Sequence, residues 1–405
     1  MIGKLKKIIL KDNNIIYKKL FTPIQNTNKQ TYSYAIYIDN EDYSSMIQLE
    51  KWFEYNFFNK NDILIIVRLY SSTSKKVLNY LQENNYNFYG YKVIRTLNID
   101  KFNIKYIFYL FNSFTNPVLI KNRDQQHVWI AHGESDKLAS VNPMIRMYDF
   151  IFTSGDIAIN RFLHYKIINE CDLKNKIIKV GFPYLAKPTL HKRTNSTMKI
   201  LYAPTWEGVE LQQQYSSLDN NFGLSALSSI SDCYEDSQLY YMPHPSTGVK
   251  DKNYKSYAKN IIVNNIKNKN FYVVQSKNSY IYNDISSVIN KDRYIEKLTN
   301  FEDFDLVITD VSSIIANLIY YKVNYIVLVK NLVVKSHLNN DITKDMPLLS
   351  LSSIIYENEL NSLEKLINKE MLVNKQDKFD KLISYESPNK DEQNLEYYIN
   401  LMSNR

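Results

Sequence analysis

The chain has 405 residues, of which 44% are hydrophobic, and a formal net charge of +8. This length predicts two or three domains with cores of their own and excludes wholesale disorder, while only two cysteines exclude a disulfide-bonded scaffold. The positive charge favours acidic partners such as phosphates or nucleotides, but the lysines are scattered without a dense basic tract, so nucleic acid is not predicted as a partner.

The N-terminal segment MIGKLKKIILKDNNIIYKKL carries an excess of lysine and lacks the features of a signal peptide. It is compatible with a basic amphipathic helix on a membrane, or equally with two short strands around a turn. No run of about 18 apolar residues is present, so no spanning helix is expected. With Cys171 and Cys233 unsuited to a disulfide framework, a reducing, cytoplasmic setting is the simplest expectation, and peripheral contact with the inner face of a plasma membrane stays open.

Short apolar runs alternate with helix-length segments through the first half. The predicted strands are SYAIYI, ILIIVRLY, YKVI, PVLI, HVWIA, DFIFT and IIKV, and the predicted helices include SSTSKKVLNYLQENN and SGDIAINRFLHYKIINE. This alternation is typical of parallel sheets with crossover helices.

The second half repeats the pattern with KILYAP, QLYYMP, FYVVQ, DLVITD and YIVLVK, and the polar segment at 185 to 198 is predicted to be the linker. We therefore predict an α/β fold in which two doubly wound Rossmann-like domains face a central cleft, the expected ligand site. The predicted boundaries are 1–190 for an N-terminal domain, expected to be the acceptor side, 191–375 for a C-terminal domain, expected to bind the nucleotide donor, and a helical tail at 376–405. Neither a dinucleotide-binding glycine motif nor a P-loop occurs.

The stretch VWIAHGESDKLAS, residues 128 to 140, has a buried apolar run followed at once by His132 and Gly133. Ligands bind at the carboxyl ends of strands in open α/β sheets, so His132 stands where a general base would act. Gly133 would let the backbone turn tightly or approach a ligand closely. A structural histidine at a strand end is the alternative interpretation.

Two strands of the second half also end in polar residues. In ILYAPTWEG, residues 200 to 208, the Thr205 hydroxyl could cap a helix or bind a phosphate oxygen, although an ordinary turn is the alternative. In YYMPHPSTG, residues 240 to 248, two prolines restrict the backbone around His244, and Ser246 adds a hydroxyl donor. Two of only six histidines thus follow predicted strands, which favours a ligand site over an incidental histidine.

The stretch DLVITDVSSIIANLIYY, residues 305 to 321, predicts a buried strand, a polar hinge and a helix. Ser312 is predicted to be the N-cap, with Ser313 in the first turn, where free N–H groups and a partial positive charge make an anion site. Asp310 would repel phosphate, so we expect it to orient the loop or a sugar hydroxyl. A serine that caps only its own helix is the alternative.

Asp303 and Asp305 form a literal D-x-D, a pattern that holds a divalent metal in some glycosyltransferases. Both precede the predicted strand and would lie at its amino end, away from the cleft. We therefore predict no metal site and no cofactor.

Together these motifs resemble those of the CDP-glycerol glycerophosphotransferase family, the teichoic-acid primases and polymerases. The family pattern is H-G-T-P-x-K after a strand, then Y-A-P-T-W, an H-P pair, and T-D-Y-S-S before an apolar helix. This chain has HGESDK, YAPTW, HPS and TDVSS in the same order, and VGFPYL resembles a T-G-x-P-R segment without its arginine. The resemblance covers about residues 125 to 330.

The resemblance implies a GT-B-like pair of domains and transfer of a polyol phosphate from a CDP-activated donor to a hydroxyl of a glycan or a teichoic-acid or capsule polymer, which could be lipid-linked. It implies that His132 is the catalytic base and that His244, Ser312 and Ser313 bind the donor phosphates. The remaining predicted substrate-binding residues are Gly133, Lys137, Thr205, Ser246 and Asp310.

The chain departs from the family pattern at Glu134, Ser135 and Asp136, which replace T-P-L, and at Val311, which replaces tyrosine. Because of the two added acids and the lost tyrosine, the resemblance does not fix the identity of the acceptor or of the donor. Two alternatives therefore remain: a GT-B glycosyltransferase using a nucleotide sugar such as CMP-sialic acid, and a basic protein that binds an anionic polymer without catalysis.

Overall fold

The computed structural model describes most of the chain. The described ranges are 24–39, 43–69, 74–93, 97–131, 133–189, 197–208, 214–234, 236–277, 279–298, 300–336, 342–365, 375–386 and 394–405. The basic N-terminal segment and His132 lie outside them, so the predictions made for both stay predictions.

The first half of the chain forms an eight-stranded sheet in the order β1-β4-β3-β2-β5-β6-β7-β8. Strand β1 is antiparallel to β4, and the other described pairs are parallel. The strands are rich in Ile, Val, Phe and Tyr and mostly buried, as in parallel sheets covered on both faces. Their bounds are β1 Ile24–Asn26, β2 Tyr34–Ile38, β3 Ile63–Arg68, β4 Phe88–Tyr91, β5 Tyr106–Tyr109, β6 Gln126–Trp129, β7 Phe150–Thr153 and β8 Ile177–Lys179.

The second half forms a seven-stranded sheet in the order β12-β11-β10-β9-β13-β14-β15, in which every described pair is parallel. Its strands are β9 Lys199–Ala203, β10 Gln238–Tyr241, β11 Phe271–Val274, β12 Tyr294–Ile295, β13 Leu306–Asp310, β14 Tyr325–Val329 and β15 Ser353–Tyr356. The strand order reverses between β9 and β13 here, and between β2 and β5 in the first sheet. A ligand site is expected at such reversals.

Helices connect the strands. Their bounds are α1 Tyr43–Glu54, α2 Ser74–Glu83, α3 Asn116–Ile120, α4 Asp156–His164, α5 Glu170–Asn175, α6 Phe222–Cys233, α7 Asn253–Asn265, α8 Tyr282–Ser286, α9 Ile314–Tyr320, α10 Asn331–Ser336, α11 Pro347–Ser350, α12 Lys375–Leu382 and α13 Leu395–Ser403. The chain thus has the predicted α/β fold, with two Rossmann-like domains that face a central cleft in the GT-B arrangement.

Of the C-terminal helices, α13 packs on the first domain, and α12 contacts both α4 of the first domain and α9 of the second. The Tyr398 ring of α13 packs against Phe57 and Phe152, with ring centroids 5.9 and 5.6 Å away. Tyr385, just beyond α12, lies so close to Gly181 that a Cβ there would come 2.2 Å from the tyrosine ring. Gly181 also has a φ of +63°, so this position favours glycine for two reasons.

Two predicted strands are wrong. PVLI is part of helix α3, where Pro117 occupies the first turn, a position at which proline costs no hydrogen bond. YKVI is displaced, because the strand is β4 and ends at Tyr91. Strand β5, at the centre of the first sheet, and the edge strands β1, β12 and β15 were not predicted from the sequence. Short apolar runs cannot be assigned to helix or strand from periodicity alone.

Candidate functional site

A cavity of about 690 Å³ lies between the two domains. On one side it is lined by residues that follow β2, β5, β6 and β7, and on the other by residues that follow β9, β10 and β13. In the second sheet, Ala203 of β9 is opposite Thr309 of β13, and Tyr202 is opposite Tyr241 of β10. This register brings the polar residues after the three strands to one edge, facing the first domain.

Four of the predicted site residues line this cavity: Gly133, Lys137, His244 and Ser313. His132 is outside the described residues, but its neighbours Ala131 and Gly133 both line the cavity. Thr205, Ser246, Ser312 and Asp310 are not among the lining residues. Thr205 and Ser246 contact the lining residues Lys137 and His244, whereas the hydrogen bonds of Ser312 and Asp310 go to residues behind the cavity wall.

Gly133 of the first domain and Ser313 of the second are in close contact. Gly133 has a φ of +148°, and a Cβ there would come 3.2 Å from the Ser313 Cβ. Helix α9 begins after Ser313, one residue later than predicted, and Ser313 is its N-cap without a capping side-chain bond. Ser313 is an exposed residue, whereas Ser312 is buried and its Oγ accepts a hydrogen bond from the Ile314 amide at 3.2 Å. Ser313 is therefore the serine that can meet a ligand.

Lys137 joins the two domains at the cavity wall. Its Nζ donates a hydrogen bond to Thr205 Oγ1 at 2.6 Å, and the buried Thr205 amide in turn donates to Asp310. Burial lowers the pKa of the Lys137 ammonium to about 8, and the Asp310 carboxylate offsets part of this effect. The ammonium is thus charged at neutral pH.

His244 lines the second-domain side of the cavity. Its Nδ1 accepts a hydrogen bond from the Ser246 amide at 3.1 Å, and its ring stacks on Trp206 with centroids 6.1 Å apart. Burial, together with the nearby Lys137 charge, lowers the imidazole pKa to about 3. A neutral imidazole that accepts at Nδ1 carries its proton on Nε2, so His244 is a hydrogen-bond donor rather than a proton-transfer group at neutral pH.

Asp310 is fully buried and holds the loop after β9. Its Oδ1 accepts from the Thr205 amide at 2.6 Å, and its Oδ2 accepts from the Ser217 amide and hydroxyl at 2.6 and 2.9 Å. Burial raises its pKa to about 6, although these hydrogen bonds lower it in part. Of the two roles considered for Asp310, orienting the loop is the one that these contacts favour.

The two acids that replace T-P-L form a buried cluster with Arg161 of α4. Glu134 pairs with Arg161 and accepts a hydrogen bond from Ser154 Oγ at 2.9 Å. Asp136 lies 3.6 Å from the guanidinium and accepts from the Leu349 amide at 2.8 Å, which connects the first domain to α11. Burial raises the Asp136 pKa to about 6, and Arg161 limits that rise. Asp136 therefore links the two domains, whereas Glu134 is held within the first domain at the cavity wall.

Several residues that contribute to the site were not singled out from the sequence. Trp206 stacks on His244, and the buried Glu207 accepts hydrogen bonds from the Gly248 and Lys250 amides at 3.0 and 2.9 Å. The Y-A-P-T-W signal drew attention to Thr205 and not to these two neighbours. Asp39 and Phe114 also line the cavity. The one feature of the sequence that could have pointed to them is that each follows an apolar run.

Within the described residues, no group of three or more His, Cys, Asp or Glu side chains is arranged to hold a metal ion. Asp305 precedes β13, at the amino ends of the strands, and its Oδ2 accepts a hydrogen bond from the Lys199 amide at 2.7 Å. In the parts of the chain that the structure covers, none of the helices has the length and apolar character needed to cross a bilayer.

No protein-family model matches the chain, and no curated protein matches it in sequence. Solved structures do resemble it. A UDP-GlcNAc 2-epimerase from Methanocaldococcus jannaschii, in complex with UDP-GlcNAc and UDP, has a TM-score of 0.53 at 12% identity over 92% of this chain and 99% of its own.

Two further structures score slightly lower. A variant of the wall teichoic acid polymerase TagF has a TM-score of 0.45 at 14% identity, over 93% of this chain and 89% of its own. Anabaena Alr3699/HepE, in complex with UDP and glucose, has a TM-score of 0.48 at 9% identity, over 92% of this chain and 100% of its own. At these identities the likeness to the epimerase establishes the fold that the chain shares with it, and no activity.

Proposed function

We propose that this protein is a phosphotransferase that moves glycerol phosphate, or a related polyol phosphate, from a CDP-activated donor to a hydroxyl of a cell-surface glycan or polymer, and releases CMP. The observation that carries the proposal is the meeting of Gly133, Lys137, His244 and Ser313 at one cavity between two domains. These residues come from three of the motifs that resemble the glycerophosphotransferase family, and they are separated by up to 180 positions (313 − 133) in sequence.

The cavity offers the donors that a diphosphate needs. The Lys137 ammonium supplies a positive charge, and the Nε2–H of His244 and the Ser313 hydroxyl supply neutral hydrogen-bond donors. Behind them, Asp310 and Glu207 fix the two loops that carry Thr205 and His244. Preorganised donors of this kind stabilise a transferring phosphoryl group without reorganisation during the reaction.

In the proposed reaction, an acceptor hydroxyl attacks the β-phosphorus of the CDP-activated donor. A new P–O bond forms to the acceptor while the bond to the CMP oxygen breaks, and its electron pair leaves with CMP. His132, next to the cavity-lining Gly133, takes the hydroxyl proton. Because the transition state of phosphoryl transfer is loose, positioning and charge stabilisation by Lys137 and His244 supply most of the catalysis.

The proposal is tested by incubating the protein with a panel of CDP-polyols, CMP-sialic acid and UDP-sugars, with a mixture of glycans as acceptors. The expected result is CMP release from a CDP-polyol, together with a product that has gained one polyol phosphate. Release of CMP from CMP-sialic acid, or of UDP from a UDP-sugar, with transfer of the sugar would instead identify a glycosyltransferase. Salt-dependent polymer binding without any nucleotide release would identify a binding protein.

A further inference from the structure

The part of the cavity formed by the first domain has polar and aromatic residues that the proposed phosphate chemistry does not use. Asp39 follows β2 and the segment 110–114 follows β5, and these two strands flank the reversal of strand order in the first sheet. Tyr37 of β2 is opposite Tyr109 of β5, so the residues after each strand project from the same edge. This is the position at which an open α/β sheet binds a ligand.

Asp39 is held in place at this edge. Its Oδ1 accepts a hydrogen bond from Arg68 Nη1 at 3.3 Å, and its Oδ2 accepts from the Ser113 hydroxyl. The Asp39 side chain is 11% exposed and lines the cavity. A carboxylate has about four acceptor positions, so a fixed Asp39 retains capacity to accept hydrogen bonds from ligand hydroxyls.

Phe114 lies on the loop after β5 and is 94% exposed. Among the large hydrophobic side chains that the structure describes, the next most exposed are Val263 and Tyr280, each at 49%. The rings of Phe111 and Trp129 line the same cavity. An exposed aromatic ring at the edge of a polar pocket is suited to the apolar face of a ligand that also carries hydroxyl groups.

The charges at this end of the cavity do not suit a polyanion. Among the described lining residues, the basic side chains are Lys137 and Arg161. The Lys137 ammonium contacts Thr205 of the second domain, and Arg161 lies between Glu134 and Asp136, so that one positive charge faces two carboxylates. Arg68 pairs with Asp39 itself. Among the described residues at this end of the cavity, each of these cationic side chains thus already contacts an acid or the second domain, and a chain of phosphodiesters would meet the Asp39 carboxylate without an additional counter-charge.

We propose that Asp39 and Phe114 form the acceptor subsite, and that the acceptor is a neutral saccharide rather than an anionic polyol-phosphate chain. The Phe114 ring packs on one face of a sugar, and Asp39, oriented by Arg68 and Ser113, accepts hydrogen bonds from its hydroxyls. The proposal rests on the proposed function for the identity of the donor, whereas binding of the saccharide itself does not depend on the donor.

Binding is tested by saturation-transfer NMR with a mixture of neutral disaccharides, lactose and maltose among them, and with poly(glycerol phosphate). We expect the disaccharides to bind the wild-type protein. Phe114→Ala should weaken that binding about five- to tenfold and Phe114→Trp should restore it, because the aromatic face is the contact. Leu332→Ala, which removes an exposed apolar side chain outside the cavity, is the matched control and should leave binding unchanged.

Binding of poly(glycerol phosphate) but no disaccharide, or disaccharide binding that Phe114→Ala leaves unchanged, would overturn the proposal. Asp39→Asn, with the Kd for CDP measured in parallel, separates loss of the subsite from loss of folding. If no CDP-polyol releases CMP while disaccharides still bind at Phe114, the proposed function is wrong but the acceptor-subsite proposal is not.

Discussion

Loss of the Lys137 charge should make catalysis decline at alkaline pH. Its pKa is lowered by burial to about 8, so its charge is lost over a range in which a diphosphate diester does not titrate. The pH dependence of kcat/KM reports ionisations of the free enzyme, and we expect kcat/KM to fall by about tenfold between about pH 7 and pH 9, since one pH unit above the pKa leaves about a tenth of the groups charged.

Lys137→Met keeps the length of the side chain and removes its charge. A hydrogen bond from a charged donor contributes about 1.5–3 kcal/mol, so we expect kcat/KM for the CDP-activated donor to fall about 10- to 100-fold at neutral pH. In this variant the decline above about pH 8 should disappear, and in Lys137→Arg it should move to higher pH because arginine stays charged.

The assay is CMP release at a series of pH values and at subsaturating donor concentration. Lys277→Met removes one positive charge from an exposed lysine that pairs with Glu296, and it controls for a general effect of net charge. If Lys137→Met retains the same alkaline decline as the wild-type protein, another group titrates there and the role given to Lys137 is wrong.

Three other substitutions test the rest of the site. His132→Ala should lower turnover by about two to four orders of magnitude, the usual contribution of a general base, and turnover within a few-fold of wild type would remove His132 from that role. His244→Ala should raise the donor KM without changing the pH profile between about 5 and 8, because a group with a pKa of about 3 does not titrate there; an unchanged KM and rate would refute the assignment. Arg161→Leu leaves Glu134 and Asp136 buried without their counter-charge, and should lower the free energy of unfolding by about 3–5 kcal/mol in urea titrations; an unshifted midpoint would show that the cluster does not stabilise the fold.

The sequence was sufficient to predict two largely parallel sheets and the positions of polar residues after their strands. Both depend on local patterns, namely buried runs such as LVITD at β13 followed by residues that favour turns. The failures were also local. PVLI and β5 are apolar runs of similar length, and only packing shows that the first is a helix and the second a central strand.

The roles of individual side chains could not be predicted, because their partners are distant in sequence. Asp310 accepts hydrogen bonds from Thr205 and Ser217, which are 105 and 93 positions away. From the sequence, Glu134 and Asp136 were expected to be acids beside His132, the proposed base, but both contact Arg161 on α4. Such contacts depend on how the sheets and helices pack together, which a single sequence does not encode in any short motif.

The most direct test of this account is a crystal structure of the protein with a CDP-activated polyol bound. The account predicts the diphosphate between the domains, within hydrogen-bond distance of Lys137 Nζ, His244 Nε2 and Ser313 Oγ. A diphosphate bound elsewhere on the protein, or a cavity in which these three groups contact only each other, would contradict it.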